Sequence, residues 1–385
     1  MKKILFGITS LTLGGAERVL VDISNKLCNE YDITILTIYD NGELKKQLNE
    51  KIKVNSIYPK QYKDYNKIQK ILISLKLLLF NLKISNEYDT YIAFLEGPIT
   101  RAFSKIGNKR KNKKERNSKK QNKIAWVHND ISKVFGKGLK AKLKLLLGKS
   151  SYKKYDKIIF VSEENKNDFI ETYGKLSEYE VIRNFLDYKS IIKKAEEKID
   201  LPFNKNDINL VTVCRLVDQK AIDRYIKIHA KLESEGIHSK VYIVGDGPQR
   251  YNLQKLIDNY EETENFYLLG ATENPYPYMK NADFFCLLSY YEGYGMVLDE
   301  AKILGKSIII TDTAAKESLE DYYNSVILDN TEKGIYEGLK NIITNIDSNL
   351  KDESDKKDKK NSNEMEKIEK YYNEIIEEIN KLLEW

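Results

Sequence analysis

The chain has 385 residues, of which 41% are hydrophobic and 32% are charged, and its formal net charge at pH 7 is +6. This length suffices for two domains with separate cores, and the apolar content excludes a disordered chain. The three cysteines, Cys28, Cys214 and Cys286, are far apart in the sequence. We therefore expect reduced residues, and neither a disulfide framework nor a cysteine metal site.

Positive charge is concentrated in the first half of the chain. Residues 1–190 carry a net charge of +17, which leaves −11 for residues 191–385. Basic residues are densest at 105–123, and residues 132–147 mix lysines with apolar side chains. Anionic headgroups attract such segments, so we expect an anionic membrane surface as a partner, with a merely solvated loop as the alternative. The loop lacks interleaved aromatic residues, which argues against nucleic acid.

The N-terminal residues do not favour a secretory leader. Lys2 and Lys3 precede a short apolar run, but an amphipathic helical pattern follows at once. The longest hydrophobic segment, residues 71–82, is interrupted by Lys76 and is too short to cross a bilayer. We therefore expect a cytoplasmic protein that is peripheral on the inner face of the cell membrane.

Short apolar strands alternate with amphipathic stretches through the first half, which is typical of stacked βαβ units. Helices are predicted at 16–29 and 68–84. In the second of these, Leu72, Leu75 and two later leucines recur at helical spacing, which we interpret as core packing. The predicted strands are Lys3–Thr9, Asp32–Tyr39, Thr90–Phe94, Lys123–Val127 and Lys157–Val161.

The pattern stops near Asp187 and a second alternating series follows. We therefore predict an α/β chain of two Rossmann-like domains, residues 1–186 and 187–362, that face each other across a cleft at the carboxyl ends of their strands. The charged residues 345–364 predict a linker. The strands of the second series are Asn209–Val213, Lys240–Val244, Asn265–Leu269, Ala282–Leu287 and Ser307–Thr311.

The most informative motif is the segment Tyr291–Ala301. Glu292 and Glu300 stand eight positions apart, and two glycines bracket a turn that leads from a strand into a helix. Unpaired backbone N–H groups and the helix dipole make such a corner an anion-binding site. Carboxylates on both sides can accept hydrogen bonds from hydroxyl groups. A phosphate flanked by two polyols, as in a nucleotide-sugar, suits this arrangement.

The order Glu-Gly-Tyr-Gly, four residues, Glu-Ala resembles the Glu-x7-Glu signature of retaining glycosyltransferases of family four (group 1), which have the GT-B fold. The resemblance implies that Glu292 contacts the donor sugar and that Glu300 holds the ribose. It also implies that a terminal helix, residues 363–385, packs back on the first domain. The turn that presents backbone amides to the donor comprises Gly293, Tyr294, Gly295, Met296 and Val297.

Arg215 and Lys220 follow the strand at 209–213. A planar guanidinium and a compact ammonium together can neutralise a diphosphate. The family has an Arg and a Lys at this spacing, so the resemblance assigns both to the leaving nucleoside diphosphate. The family usually places Gly after the Lys, but here the residue is Ala221, which changes the loop. The chain has no Asp-x-Asp motif for a divalent metal. We expect no metal and no cofactor besides the substrate.

Glycine turns after other strands complete the predicted donor site. Gly245 and Gly247 match the family's Gly-x-Gly-Pro and permit close backbone approach, although a purely structural turn is equally compatible. Gly270 follows the next strand, and we place it beside the nucleobase. In the first domain, Gly14 and Gly15 match the loop that faces the donor diphosphate in the family.

His128 follows the strand at 123–127. A lone histidine is more often structural, but at this position the resemblance assigns it to the transferred sugar. Glu96 and Gly97 follow another strand, and we place them on the acceptor side.

Together these features predict a retaining, metal-independent glycosyltransferase. It moves a hexose-type sugar from a nucleoside-diphosphate sugar to a glycan or lipid-linked acceptor, as in cell-surface polysaccharide synthesis. We expect the nucleoside diphosphate to be UDP. A retaining glycosidase is an alternative if Glu292 and Glu300 lie about 5 Å apart across a scissile bond. The same motifs are also compatible with a nucleotide-sugar epimerase, and with a non-catalytic, membrane-associated scaffold or partner subunit that has the GT-B fold.

Overall fold

The chain forms two compact units. The first comprises Met1–Leu186 and Asn373–Trp385, and the second comprises Asp187–Tyr372. Each is built on a parallel sheet with connecting helices, so the predicted α/β class with two Rossmann-like domains is confirmed. The structure is a computed structural model that describes residues 1–40, 42–79, 84–85, 87–106, 121–132, 139–200, 203, 206–320, 322–345 and 357–385.

The first unit contains a seven-stranded sheet in the order β3-β2-β1-β4-β5-β6-β7. Its central strands are buried on both faces, which explains their nearly continuous apolar sequences. The strands are β1 (Lys3–Ile8), β2 (Asp32–Tyr39), β3 (Lys53–Tyr58), β4 (Thr90–Ala93), β5 (Asn122–Val127), β6 (Lys157–Phe160) and β7 (Glu178–Val181). The helices are α1 (Gly15–Leu27), α2 (Lys67–Leu79), α3 (Pro98–Phe103), α4 (Leu139–Tyr152) and α5 (Glu163–Tyr173).

The second unit contains a six-stranded sheet in the order β10-β9-β8-β11-β12-β13. Its strands are β8 (Asn209–Val213), β9 (Lys240–Val244), β10 (Phe266–Gly270), β11 (Phe284–Leu287), β12 (Ser307–Thr311) and β13 (Ser325–Leu328). Its helices are α6 (Tyr188–Ala195), α7 (Ile222–Ser234), α8 (Arg250–Asn259), α9 (Tyr276–Asn281), α10 (Met296–Ile303) and α11 (Glu332–Thr344).

The last helix, α12 (Lys357–Glu384), contributes residues to both units. In the second unit, the ring of Tyr372 stacks on that of Tyr188 with a centroid distance of 5.8 Å. In the first unit, Lys2 Nζ donates to the carbonyl of Leu383 at 3.0 Å, and Lys157 Nζ lies 4.9 Å from the ring centroid of Trp385.

The interpretation of α2 as a core helix is wrong for one of its predicted core residues. Leu72 is 58% exposed, because the opposite face of the helix, with Ile73 and Leu77, packs in the core of the first unit. The side chains of Leu75, Leu79 and Leu82 lie outside the described part of the chain, as do residues 107–120 and 133–138 of the two basic segments. Among the described residues, no helix combines the length and apolar composition needed to cross a bilayer.

Candidate active site

The second sheet reverses its strand order between β8 and β11, which are hydrogen-bonded neighbours. In open parallel sheets, ligands bind at the carboxyl ends of the strands at such a switch point. The loop after β8 carries Arg215 and Lys220, and the loop after β11 carries Glu292. The topology thus places the predicted cationic residues and the predicted sugar-binding carboxylate in adjacent loops.

Lys220 and Glu292 are in direct contact. The Lys220 ammonium donates a hydrogen bond to Glu292 Oε1, and the same oxygen accepts one from Ser289 Oγ at 2.6 Å. The side chains of Lys220 and Glu292 are only 17% and 7% exposed. Because the pair is largely removed from water, its charges are screened much less than those of a surface ion pair. The site therefore has a fixed ammonium and a fixed carboxylate side by side.

Backbone and side-chain hydrogen bonds hold these two loops together. The N–H of Tyr290 donates to the carbonyl of Gln219 at 3.0 Å, and Gln219 Nε2 donates to the carbonyl of Tyr291 at 3.0 Å. Lys220 and Glu292 each adjoin one of these linked residues. Their alignment therefore follows from main-chain geometry as well as from their mutual attraction.

Arg215 is exposed at the surface of the β8 loop. Within the described part of the chain, no carboxylate forms an ion pair with its guanidinium. A guanidinium presents several N–H donors in a fixed planar array that matches phosphate oxygens. Arg215 and Lys220 differ accordingly: one cation is open to solvent, and the other is already engaged by Glu292.

Gly245 and Gly247 allow the loop after β9 to pack closely on the β8 loop. A Cβ at Gly245 would lie 1.8 Å from the carbonyl oxygen of Cys214, and one at Gly247 would lie 2.3 Å from that of Leu216. The N–H of Leu216 also donates to the carbonyl of Asp246 at 3.0 Å. The structure thus gives both glycines a packing role against the loop that holds Arg215.

Gly270 ends β10 with a φ of +88°, and its carbonyl accepts the N–H of Gly245 at 2.8 Å. The loops after β8, β9 and β10 are therefore in contact, one after the next, at the carboxyl edge of the second sheet. Arg250, at the start of α8, adds a guanidinium there: its Nη1 lies 3.8 Å from the Cβ position of Gly270.

The turn after Glu292 leads directly into α10. Gly295 precedes the helix with a φ of +67°, a conformation that glycine adopts without strain. The space around Gly293 is open, since a Cβ there would meet no atom within 4 Å, whereas Tyr294 is buried. The helix starts at Met296, so its first backbone N–H groups face this turn and favour an anion.

Glu300 lies in the second turn of α10 and is 8% exposed. Its Oε1 accepts a hydrogen bond from the hydroxyl of Tyr276, on α9, at 3.2 Å. This contact orients the carboxylate toward α9, whereas that of Glu292 is oriented toward the β8 loop. The two carboxylates are thus held by different partners.

The first unit has its own switch point, between β1 and β4. Gly14 and Gly15 follow β1, and a Cβ at Gly14 would lie 2.3 Å from Glu17 Oε2, so the Glu17 carboxylate lies over this turn. Burial raises the pKa of Glu17, and the charge of Glu96 raises it further. The Glu17 carboxyl group therefore lies over the Gly-Gly turn, with its pKa raised by burial first and by the charge of Glu96 second.

Glu96 positions the loop that carries His128. Its carboxylate accepts hydrogen bonds from the backbone N–H of His128, from the N–H of Asn129 at 2.6 Å and from Asn129 Nδ2 at 3.1 Å. The His128 ring packs on Phe94 with a centroid distance of 4.6 Å. Burial lowers the pKa of His128 to about 3, so the imidazole is neutral at pH 7. Within the described part of the chain, Nε2 is buried without a hydrogen-bond partner.

The sequence analysis did not identify Ser289, Tyr276 and Arg224 as site residues. Ser289 and Tyr276 bind the two predicted carboxylates. Arg224 Nη2 donates to the carbonyl of Leu288 at 2.8 Å and to Asn330 Oδ1 at 2.9 Å, which fixes the end of β11. Of the three, only Ser289 could have been inferred from the sequence, because it lies three positions before Glu292 and close enough to reach its carboxylate.

Comparison with known proteins identifies the second unit. Residues 193–365 match the family model described as glycosyl transferases group 1. The chain carries a group 1 glycosyltransferase domain. The resemblance inferred from the Glu-x7-Glu motif is thereby confirmed.

Two curated relatives illustrate the similarity of this chain to known proteins. A Campylobacter jejuni enzyme, N-acetylgalactosamine-N,N'-diacetylbacillosaminyl-diphospho-undecaprenol 4-alpha-N-acetylgalactosaminyltransferase, is 26% identical over 89% of this chain and 90% of its own length. An uncharacterized glycosyltransferase of Methanocaldococcus jannaschii is 26% identical over 73% of this chain and 69% of its own length.

Solved structures show the same fold. The Anabaena protein HepE in complex with UDP-glucose superimposes with a TM-score of 0.73 at 19% identity, and the alignment covers 100% of both chains. This likeness confirms the GT-B fold predicted for the chain.

Proposed function

We propose that this glycosyltransferase moves a hexose-type sugar from UDP to a glycan on a lipid-linked acceptor, with retention of the anomeric configuration and without a metal ion. The single observation that carries the proposal is the buried pair of Lys220 and Glu292 beside Arg215, at the switch point of the second sheet. HepE, which has the same fold, was solved in complex with UDP-glucose. The Campylobacter jejuni relative is named for an acceptor with a diphospho-undecaprenol group.

The donor diphosphate binds, in this proposal, to Arg215, Lys220 and the first N–H groups of α10. Together they neutralise the negative charge that develops on the leaving phosphate, which is commonly a large contribution to catalysis. Glu292 accepts hydrogen bonds from the sugar hydroxyls, and Glu300 from the ribose. The glycines after β9 and β10 and the first-unit residues Gly14, Gly15 and His128 keep the donor roles assigned from the motifs.

The reaction breaks the bond between the anomeric carbon and the phosphate oxygen. The acceptor oxygen forms the new bond on the same face of the sugar, and its proton passes to a phosphate oxygen. No carboxylate forms a covalent intermediate. The neutral imidazole of His128 offers a hydrogen bond to the sugar and carries no charge at pH 7.

In this proposal the reaction takes place at the cytoplasmic face of a membrane. The positive charge of the first half of the chain and the lipid-linked acceptor named for the Campylobacter jejuni relative support it. The identity of the donor is tested with a panel of UDP-, GDP- and ADP-sugars in thermal-shift measurements, with and without EDTA. We expect stabilisation by a UDP-sugar that EDTA leaves unchanged. Stabilisation that EDTA abolishes would contradict the metal-independent part, and NMR of the product's anomeric proton tests retention.

A further inference from the structure

The exposed face of α2 is strongly apolar. Ile68, Ile71 and Leu72 are 70%, 53% and 58% exposed, and their spacing of three and four residues places them on one side of the helix. Single exposed apolar residues are ordinary, but a contiguous group of this kind marks an interaction surface. We call these three residues the α2 patch.

The rest of the helix is anchored in the first unit. Ile73 and Leu77 lie on the opposite side of α2 and are buried at 6% and 4% exposure in the core of that unit. One face of the helix is therefore held in the core of the first unit, while the other face presents the α2 patch. A rotation of the helix that buried the α2 patch would expose Ile73 and Leu77, so the patch cannot join the core without the loss of these contacts.

Basic residues border the α2 patch. Lys67 lies on the side of Ile71 and Lys76 on the side of Leu72, each four positions away, and both lysines are exposed. The helix sequence contains no acidic residue. The preceding segment adds exposed Lys60 and Lys63 against the single acid Asp64.

An apolar stripe with lysines on its flanks matches the surface of an anionic membrane. The apolar side chains enter the boundary between headgroups and acyl chains, while lysine stems extend along it and keep their ammonium groups at the phosphates. A protein partner would need acidic groups arranged around an apolar centre, whereas an anionic leaflet supplies both without further specificity.

We propose that the α2 patch docks the first unit on the anionic surface of a membrane. The proposal deepens the proposed function, on whose membrane-linked acceptor it rests. It adds α2 to the basic segments 105–123 and 132–147, for which the sequence analysis predicted a membrane contact and most of which lie outside the described residues.

Flotation with vesicles of phosphatidylcholine, with and without 30% phosphatidylglycerol, tests the proposal on the full chain. We expect binding to the anionic vesicles alone. The variant K67E/K76E should bind at least tenfold more weakly, because each lysine near an anionic surface contributes about 1 kcal/mol. The variant I68S/I71S/L72S should also bind at least tenfold more weakly, because it removes the apolar side chains that enter the headgroup boundary. The matched controls Y251S and K227E/K255E change exposed residues of the second unit and should bind like the wild type.

An I71W variant locates the contact. Its tryptophan emission should shift to the blue, and brominated lipid should quench it, relative to the wild-type background of Trp126 and Trp385. Equal vesicle binding by the patch variants and the wild type would overturn the proposal. So would ultracentrifugation without vesicles, if the wild type self-associates and the patch variants do not. UDP-sugar binding in solution, measured on the same variants, tests the proposed function separately: its absence with vesicle binding intact refutes the donor assignment and leaves the docking surface.

Discussion

Removal of the Lys220 ammonium, as in Lys220→Met, should destabilise the second unit far more than the loss of an ordinary ion pair. The variant leaves the Glu292 carboxylate, 7% exposed, with one remaining hydrogen bond from Ser289. An uncompensated buried charge costs about 3–5 kcal/mol, which the 17% exposure of Lys220 reduces to about 2–4 kcal/mol. The matched control is Lys316→Met, because Lys316 and Asp312 form a pair in which both side chains are 52% exposed, and such pairs contribute about 0–1 kcal/mol.

Urea unfolding followed by far-UV circular dichroism measures the difference. Both tryptophans, Trp126 and Trp385, belong to the first unit, so their fluorescence reports that unit separately. The double variant K220M/E292Q should recover most of the loss, since the amide of Gln carries no charge to desolvate. The reasoning is refuted if K220M costs no more than K316M, or if the added E292Q change recovers nothing.

Three further predictions concern stability. His128→Asn should reduce the acid sensitivity of the first unit. The pKa of His128 is about 3 in the folded state, so between pH 6.5 and pH 3 only the unfolded state binds the proton. Between pH 7.5 and 5.5 the free energy of unfolding should therefore fall by about 1 kcal/mol more in the wild type than in the variant, as measured by tryptophan fluorescence in urea. Ala221→Gly should change the free energy of unfolding by less than about 1 kcal/mol, because relief of the left-handed conformation (φ 51°) offsets the loss of a buried methyl group. The control is Ala301→Gly within α10, where the alanine is equally buried and the change should cost about 2 kcal/mol in the same urea titration. Equal costs for the two variants would show that Ala221 is unstrained. Gly247→Ala should lower the free energy of unfolding by about 1–3 kcal/mol, because the added Cβ would lie 2.3 Å from a backbone oxygen. The control Gly293→Ala should stay within about 0.5 kcal/mol of the wild type in thermal melts, because its Cβ would meet no atom within 4 Å. A G247A variant as stable as the wild type would contradict the packing role.

The predicted strands were confirmed where the sheets are buried on both faces. Three strands were not predicted: β3, β7 and β13. All three are edge strands, and each has at least two residues that are exposed or only partly buried. Polar residues interrupt the apolar residues of β3 and β7, so these two strands lack the continuous apolar run by which the central strands were recognised. β13 does have a short apolar run, residues 326–328, which the sequence analysis missed.

Sequence reasoning identified Lys220 and Glu292 individually but not their pairing. The two residues are 72 positions apart, and only the β8–β11 adjacency brings their loops together. The α2 patch shows the opposite difficulty. Its leucine and isoleucine residues have the period of a buried helix, and periodicity alone does not show which of two apolar faces meets the core.

The central claim is that the loops of Arg215, Lys220 and Glu292 bind the diphosphate of a nucleotide-sugar. Calorimetric titration with UDP tests it most directly, with Arg215→Ala compared with Lys227→Ala, an exposed cation on α7. Because a hydrogen bond to a charged group contributes about 1.5–3 kcal/mol, we expect R215A to bind UDP at least tenfold more weakly while K227A binds like the wild type. Equal affinity in R215A and the wild type would contradict the account.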